Sequence, residues 1–112
     1  MRTFETGATR DDDTNKPDHR GFLSPFALQE YGEYMLKHQE QADGTMRASD
    51  NWKKGIPPDA YASSLIRHVV QFWTDYELFG GAHEWPPLKD DLCAIIFNAQ
   101  GLLHELHVRS GK

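Results

Sequence analysis

A single cysteine, Cys93, stands in 112 residues, which excludes a disulfide framework and any zinc site built on paired cysteines. It lies in the apolar run Cys93-Ala94-Ile95-Ile96-Phe97 and is expected as a small core residue. Positive charge is scarce too: 12 Lys and Arg face 17 Asp and Glu, a net charge of −5. That balance argues against a duplex nucleic-acid partner held by phosphate neutralisation. No apolar run reaches the ~18 residues a membrane span needs, and Met1-Arg2-Thr3-Phe4-Glu5 lacks the apolar stretch of a signal peptide. A cytoplasmic protein with no membrane partner is expected. Glycine-rich phosphate loops, zinc-ligand spacings and a serine elbow are missing as well, so any catalysis must come from carboxylates and a metal.

What is present is globular: 38% hydrophobic and 12% aromatic residues, in a length that supports one domain with one core. Residues 1–20 are polar, carry Asp11-Asp12-Asp13, and read as an extended or disordered arm. Residues 21–112 form the single domain. Ser24-Pro25 has the form of an N-cap with proline in the first turn, and Leu28, Tyr31 and Met35 then recur at helical spacing to about His38. Residues 39–58 hold the turn signals Asp43-Gly44, Ser49-Asp50 and Pro57-Pro58, and read as a long loop of the kind that carries function.

Asp59 caps a second helix in which Ala62, Leu65, Val69, Phe72 and Tyr76 form an apolar stripe, expected to face the core, until Gly80-Gly81. Ser64, His68, Gln71 and Asp75 make a polar stripe on the same helix. Pro86-Pro87 opens a third, central helix from about Leu88 to Val108, with Leu88, Leu92, Ile95, Ala99, Leu102 and Leu106 on one side. No strand-like alternation is visible. The expected fold class is all-α, with three main helices, a polar N-terminal arm and a long loop between helices one and two.

Several residues are candidates for chemistry. Glu30 and Glu33, at i and i+3, project from one helical face and can share a divalent cation through oxygen ligands; the bland alternative is a solvated face with Lys37 paired to Glu33. Asp90 and Asp91 open the third helix, as ligands or as complements of its dipole. Asp91, Asn98 and Glu105 are spaced by seven along one line of that helix, and a buried amide such as Asn98 needs a hydrogen-bond partner. Asn98 is either a structural tie, to backbone or to His68, or a water or ligand contact. Arg67-His68, with Asp75 two turns on, has the same two readings, structural or orienting a phosphate or a water. In Asp50-Asn51-Trp52-Lys53-Lys54-Gly55-Ile56-Pro57, the ammonium groups of Lys53 and Lys54, with Arg47, supply charge for a polyphosphate, and Trp52 supplies either a stacking face or core packing. His104 and His107, at i and i+3, have the spacing for a transition metal, but with no nearby Cys or third His they read as a solvated helix end.

The arm Phe4-Glu5-Thr6-Gly7-Ala8-Thr9-Arg10-Asp11 with Lys16-Pro17-Asp18, the Asn51-Trp52-Lys53-Lys54-Gly55 segment, Arg67-His68, and Leu92 to Ala99 followed by Leu103-His104-Glu105 together resemble a family of small phage and prophage proteins. That family is named for the N-terminal domain of the phage dATP/dGTP diphosphohydrolase, of MazZ type, and the resemblance runs from Phe4 to Glu105. It implies an all-α fold, Mg²⁺ (or Mn²⁺) as cofactor, and in-line attack of water at phosphorus on a purine deoxynucleoside triphosphate with release of pyrophosphate. On this chain Glu30, Glu33 and Asp90 or Asp91 would hold metal, Trp52, Lys53, Lys54 and Arg67 the nucleotide, and His68 with Asn98 would position water or sugar. A phage-encoded protein would act in the bacterial host cytoplasm.

The sequence departs from the all-α pyrophosphatase pattern in one respect. That pattern has a second acidic pair on a second helix, whereas here Asp90 is followed three residues later by Cys93, and Asp91 by Ala94. The alternative expectation is therefore a non-catalytic protein that sequesters a host-defence nucleotide signal. Either reading includes a homo-oligomer, because Phe72, Trp73, Tyr76, Phe79 and Trp85 offer more apolar surface than three helices cover.

Overall fold

A computed structural model of the chain describes residues 2–12, 14–79 and 86–111. The order is β1 (Arg2–Thr3), β2 (Thr9–Arg10), α1 (His19–Phe22), α2 (Pro25–Lys37), a 3₁₀ turn (Asn51–Lys54), α3 (Pro58–Phe79) and α4 (Pro86–Arg109). The three long helices match the sequence expectation to within two residues at most ends. Ser24 caps α2 by accepting a hydrogen bond from the Ala27 amide at 3.1 Å, with Pro25 directly after it. Pro58 and Pro86 open α3 and α4, where a missing amide proton costs nothing. The expected stop at Gly80-Gly81 and the expected interface residue Trp85 lie outside the described residues. No described helix is long and apolar enough to cross a membrane.

The N-terminal arm corrects the strand-free expectation. β1 and β2 pair antiparallel, Arg2 opposite Arg10 and Thr3 opposite Thr9. Gly7, at φ 87°, closes the turn with its amide on the Phe4 carbonyl, and the Phe4 amide returns to the Ala8 carbonyl. Two-residue strands are too short to show alternation in sequence, and the turn needs a glycine that tolerates positive φ.

α4 is central, as expected, packing against α3 along most of its length and against α2. The faces, however, are turned. On α4 the line Asp91, Ala94, Asn98, Gly101 is buried, while Leu92 and Leu106 are exposed. On α3 the side toward α4 carries Tyr61, Leu65, His68, Phe72 and Asp75, whereas Val69 and Tyr76 of the expected core stripe are exposed. The α3–α4 seam is therefore partly polar and the outer faces are partly apolar. Tyr61 approaches Gly101 so closely that a Cβ on Gly101 would overlap its ring. Asp75 stands beside Asp91. These two contacts set an antiparallel register in which His68 lies level with residues 94–98.

Candidate functional site

Two cavities open between α2 and α4, the first bounded also by the 39–57 segment, and Tyr34 lines both. The first, of about 500 Å³, is walled by Tyr34, Met35, Trp52, Ile56 and Phe97, with Arg47, His38 and Asn51 as its main polar groups. That size and mixture suit a small organic ligand. The second, of about 370 Å³, is lined by Glu30, Glu33, Tyr34, Lys37, Lys89, Asp90 and Cys93.

Arg47 is held by a compact hairpin. Glu40 bridges Met46, Gly44 turns the chain at φ 85°, and the Asp43 carboxylate accepts from the Thr45 amide (3.0 Å) and hydroxyl (2.6 Å). Those bonds hold the Asp43 carboxyl below its ordinary range, the Thr45 hydroxyl contributing most. At the base of the hairpin the Arg47 amide donates to the Gln39 carbonyl at 2.7 Å, and Gln39 Nε2 donates back to the Arg47 carbonyl at 3.1 Å. A surface-loop arginine is thereby fixed at a cavity wall.

The Trp52 segment follows. Lys53 closes the 3₁₀ turn on the Asp50 carbonyl, and Gly55, at φ 116°, leaves it in a conformation that L side chains avoid. Trp52 meets His104 of α4 edge to face at 4.8 Å, so one edge is anchored on the helix while the residue still lines the cavity. Lys53 Nζ lies 5.6 Å from the Trp52 ring centre, a cation–π distance. Lys54 is exposed beside it. Neither lysine lines either of these two cavities, and Arg47 supplies positive charge in the first.

His38 stacks on Tyr34 at 4.1 Å between centroids, and its Nδ1 lies 2.8 Å from the Tyr34 carbonyl. A carbonyl only accepts, so Nδ1 carries the proton and Nε2 is left as the acceptor whenever the ring is neutral. The Tyr34 hydroxyl is pushed above its ordinary value, first by burial and then by Asp90. Tyr34 therefore stays a neutral donor at physiological pH.

In the second cavity carboxylates and lysines alternate. Lys37 Nζ reaches Asp90 Oδ1 at 3.0 Å, and Lys89 Nζ reaches Glu30 Oε1 at 3.3 Å. Lys37 thus pairs across to α4 rather than with Glu33, whose recorded partner is the Gln29 amide at 3.2 Å. The ion pairs are half-exposed and contribute little to stability, but they place both signs around one opening. Cys93 at its floor has its thiol pushed up by burial and by Asp90, which keeps it unreactive.

Asp91 is separated from this group. It points into the α3–α4 seam, where burial first, and then the Asp75 carboxyl, raise its pKa to about 7. Its Oδ2 is buried without a hydrogen-bond partner. Gln71 Nε2 donates to Asp75 Oδ1 at 3.0 Å on the far side of the pair. Asn98, on the same buried line, donates to the Ala94 carbonyl of its own helix at 2.8 Å, the structural tie anticipated for a buried amide. His68 is half-buried on the facing side of α3, and Arg67 is exposed. Neither His68, Asn98 nor Arg67 lines either cavity.

Of the expected site, then, Glu30, Glu33 and Asp90 share one opening, Trp52 belongs to the adjoining one, and Asp91, His68 and Asn98 fall along the seam. Among the described residues no group of three or more His, Cys, Asp and Glu side chains is arranged to hold a metal ion. Tyr34, His38, Lys37 and Lys89 were not singled out from sequence as ligand contacts. Their signal was helical spacing: Glu30, Glu33, Tyr34 and Lys37 fall on one face of α2. Compared with known proteins, the chain matches no family model, no curated protein and no solved structure.

Proposed function

We propose that the chain binds a nucleoside triphosphate across Tyr34, base in the aromatic cavity and phosphates in the charged one, and hydrolyses it to a monophosphate and pyrophosphate with a divalent cation. The observation that carries this reading is that one tyrosine lines both cavities. A cavity with three carboxylates and two lysines suits a ligand that itself carries both signs, as a metal-bound polyphosphate does. The purine deoxynucleotide preference rests on the resemblance to the MazZ-type family.

Glu30, Glu33 and Asp90 are hard oxygen donors on one opening that are not arranged around a cation as they stand; they would hold Mg²⁺ or Mn²⁺ only by leaving Lys89 and Lys37 and drawing together. Such an ion, when bound, neutralises phosphate charge and acidifies a coordinated water. The freed lysines neutralise phosphate oxygens. Glu33, which accepts from Gln29 and is not engaged by a lysine among the described residues, would take the proton of the attacking water in this reading. Arg47 and the Tyr34 hydroxyl donate to phosphate or sugar between the cavities. His68 and Asn98 lie on the α3–α4 seam outside both cavities, Asn98 tied to the Ala94 carbonyl of its own helix, and take no part in ligand binding in this reading. Cytoplasmic self-association completes the proposal.

A second reading is favoured by the lysine pairs themselves: with Glu30 and Asp90 already neutralised, the site can hold a nucleotide intact and sequester it. Chromatography of triphosphates and cyclic dinucleotides after incubation, with Mg²⁺ or Mn²⁺ and then with EDTA, separates the two. Metal-dependent monophosphate and pyrophosphate, lost in Glu30→Gln, support hydrolysis; intact ligand released on denaturation supports sequestration.

A further inference from the structure

Two side chains of the first cavity have hydrogen-bonding groups that the protein leaves open, and one of them is held in place while the other is not. His38 is the C-cap of α2 and lines the cavity. Its Nδ1 is committed to the Tyr34 carbonyl at 2.8 Å, and its ring stacks on the Tyr34 ring at 4.1 Å with 31° between the planes. Both contacts come from the residue one helical turn back, so they fix the imidazole in position and in tautomer. Its Nε2 has no protein partner among the described residues. A neutral ring held in this way presents one acceptor of fixed direction.

Asn51 lines the same cavity and is half-buried. Its backbone amide donates to the Ala48 carbonyl at 3.1 Å, but its side-chain amide makes no hydrogen bond among the described residues. Nothing sets the direction of that amide, so it offers a donor beside an acceptor in either order. The Arg47 guanidinium is turned back toward Gln41 Oε1 at 3.5 Å. Around these groups the wall is Tyr34, Met35, Trp52, Ile56 and Phe97, with Trp52 braced on His104. A flat heteroaromatic ring entering here meets aromatic faces, one fixed acceptor and one adaptable amide.

We infer, on the strength of the nucleotide reading above, that His38 selects bases carrying an exocyclic amino group by accepting from that group at Nε2. Base edges differ in whether they present an amino donor or a carbonyl acceptor. A freely turning amide pairs with an amino group beside a ring nitrogen, and equally with a carbonyl beside a ring N–H. Asn51 therefore adds affinity for every base and distinguishes none. His38 is different, because turning the ring breaks its bond to the Tyr34 carbonyl. Its Nε2 is satisfied by an amino group and left unpaired by a carbonyl or a C–H, and an unpaired polar group in the site is what rejects a ligand.

Two ligand pairs isolate one amino group each. Adenosine 5′-monophosphate and purine riboside 5′-monophosphate differ by the 6-amino group, and guanosine and inosine 5′-monophosphates by the 2-amino group. Calorimetry with the full chain at pH 8 is expected to show about fivefold tighter binding of the amino-bearing member in the pair whose amino group meets His38. The pair that shows it identifies the group that is read. His38→Phe keeps an aromatic ring on Tyr34 without the acceptor and is expected to abolish the difference. Asn51→Ala is expected to weaken all four ligands alike and to preserve it. Equal affinities within both pairs, a difference that survives His38→Phe, or one that disappears in Asn51→Ala would overturn the inference and leave the nucleotide reading standing. Failure of all four ligands to bind would overturn both.

Discussion

Asp91 of α4 and Asp75 of α3 face each other across the helix seam, and Asp91 takes up its proton near neutrality, at about 7. One oxygen of Asp91 has no donor, and a single proton shared between two carboxyls resolves both the repulsion and the missing bond.

A pH dependence follows. The Asp91 pKa is raised from 3.8 in folding, so the native state holds a proton the unfolded state releases. This contribution is complete below about pH 4 and is lost as pH rises toward 7. Asp91→Asn mimics the protonated form. Its thermal midpoint should therefore match the wild type near pH 4 and exceed it at pH 8; a difference that does not change with pH would remove the shared-proton account.

Gly101→Ala sets two effects against each other. Alanine favours a helix by about 1 kcal/mol, but its Cβ would overlap the Tyr61 ring, and overpacking costs about 1–3 kcal/mol. Tyr61 is 2 % exposed and has no room to yield, so the variant should melt lower. Adding Tyr61→Phe would not relieve this, because ring carbons as well as the hydroxyl are in the way.

How much of this was legible without coordinates differs by level. The three helices were, because caps and prolines act locally: Ser24-Pro25 and Pro86-Pro87 mark their own starts, while Asp59, expected as the cap of the second helix, lies in its first turn after Pro58. The orientation of α3 and α4 was not, since a stripe such as Val69 and Tyr76 reads as core whether the covering surface belongs to the same chain or to another. The seven-residue spacing of Asp91, Asn98 and Glu105 did point to the buried line. The hairpin that fixes Arg47 depends on bonds between Gln39, Asp43 and Thr45 that leave no periodicity, and Lys37 and Lys89 find partners more than 50 residues away.

The ion pairs predict opposite responses from charge removal. Lys89→Ala frees Glu30, and Lys37→Ala frees Asp90, so each should bind Mn²⁺ more tightly in the absence of nucleotide while binding triphosphate more weakly. Glu30→Gln should weaken Mn²⁺ binding. Calorimetry with the metal alone and then with the nucleotide reads both; lysine variants with unchanged metal affinity would show that the pairs do not guard these carboxylates.

Arg47→Gln tests the aromatic cavity separately. The short hairpin hydrogen bonds at this position come from its backbone, and the guanidinium adds only a long bond to Gln41 Oε1 at 3.5 Å, so folding should be retained and triphosphate affinity should fall by about tenfold at low salt, with the gap narrowing as salt rises. An undiminished affinity would move the phosphates away from Arg47.

The central claim is that one ligand spans both cavities, and a double-mutant titration tests it most directly. Calorimetry would compare a nucleoside, tripolyphosphate with Mg²⁺, and the nucleoside triphosphate with Mg²⁺, on wild type, Trp52→Ala, Lys37→Ala and the double variant. The account predicts that Trp52→Ala weakens nucleoside, Lys37→Ala weakens tripolyphosphate, and each alone weakens the triphosphate. A triphosphate affinity sensitive to one substitution and indifferent to the other would contradict it, leaving two separate cavities on either side of Tyr34.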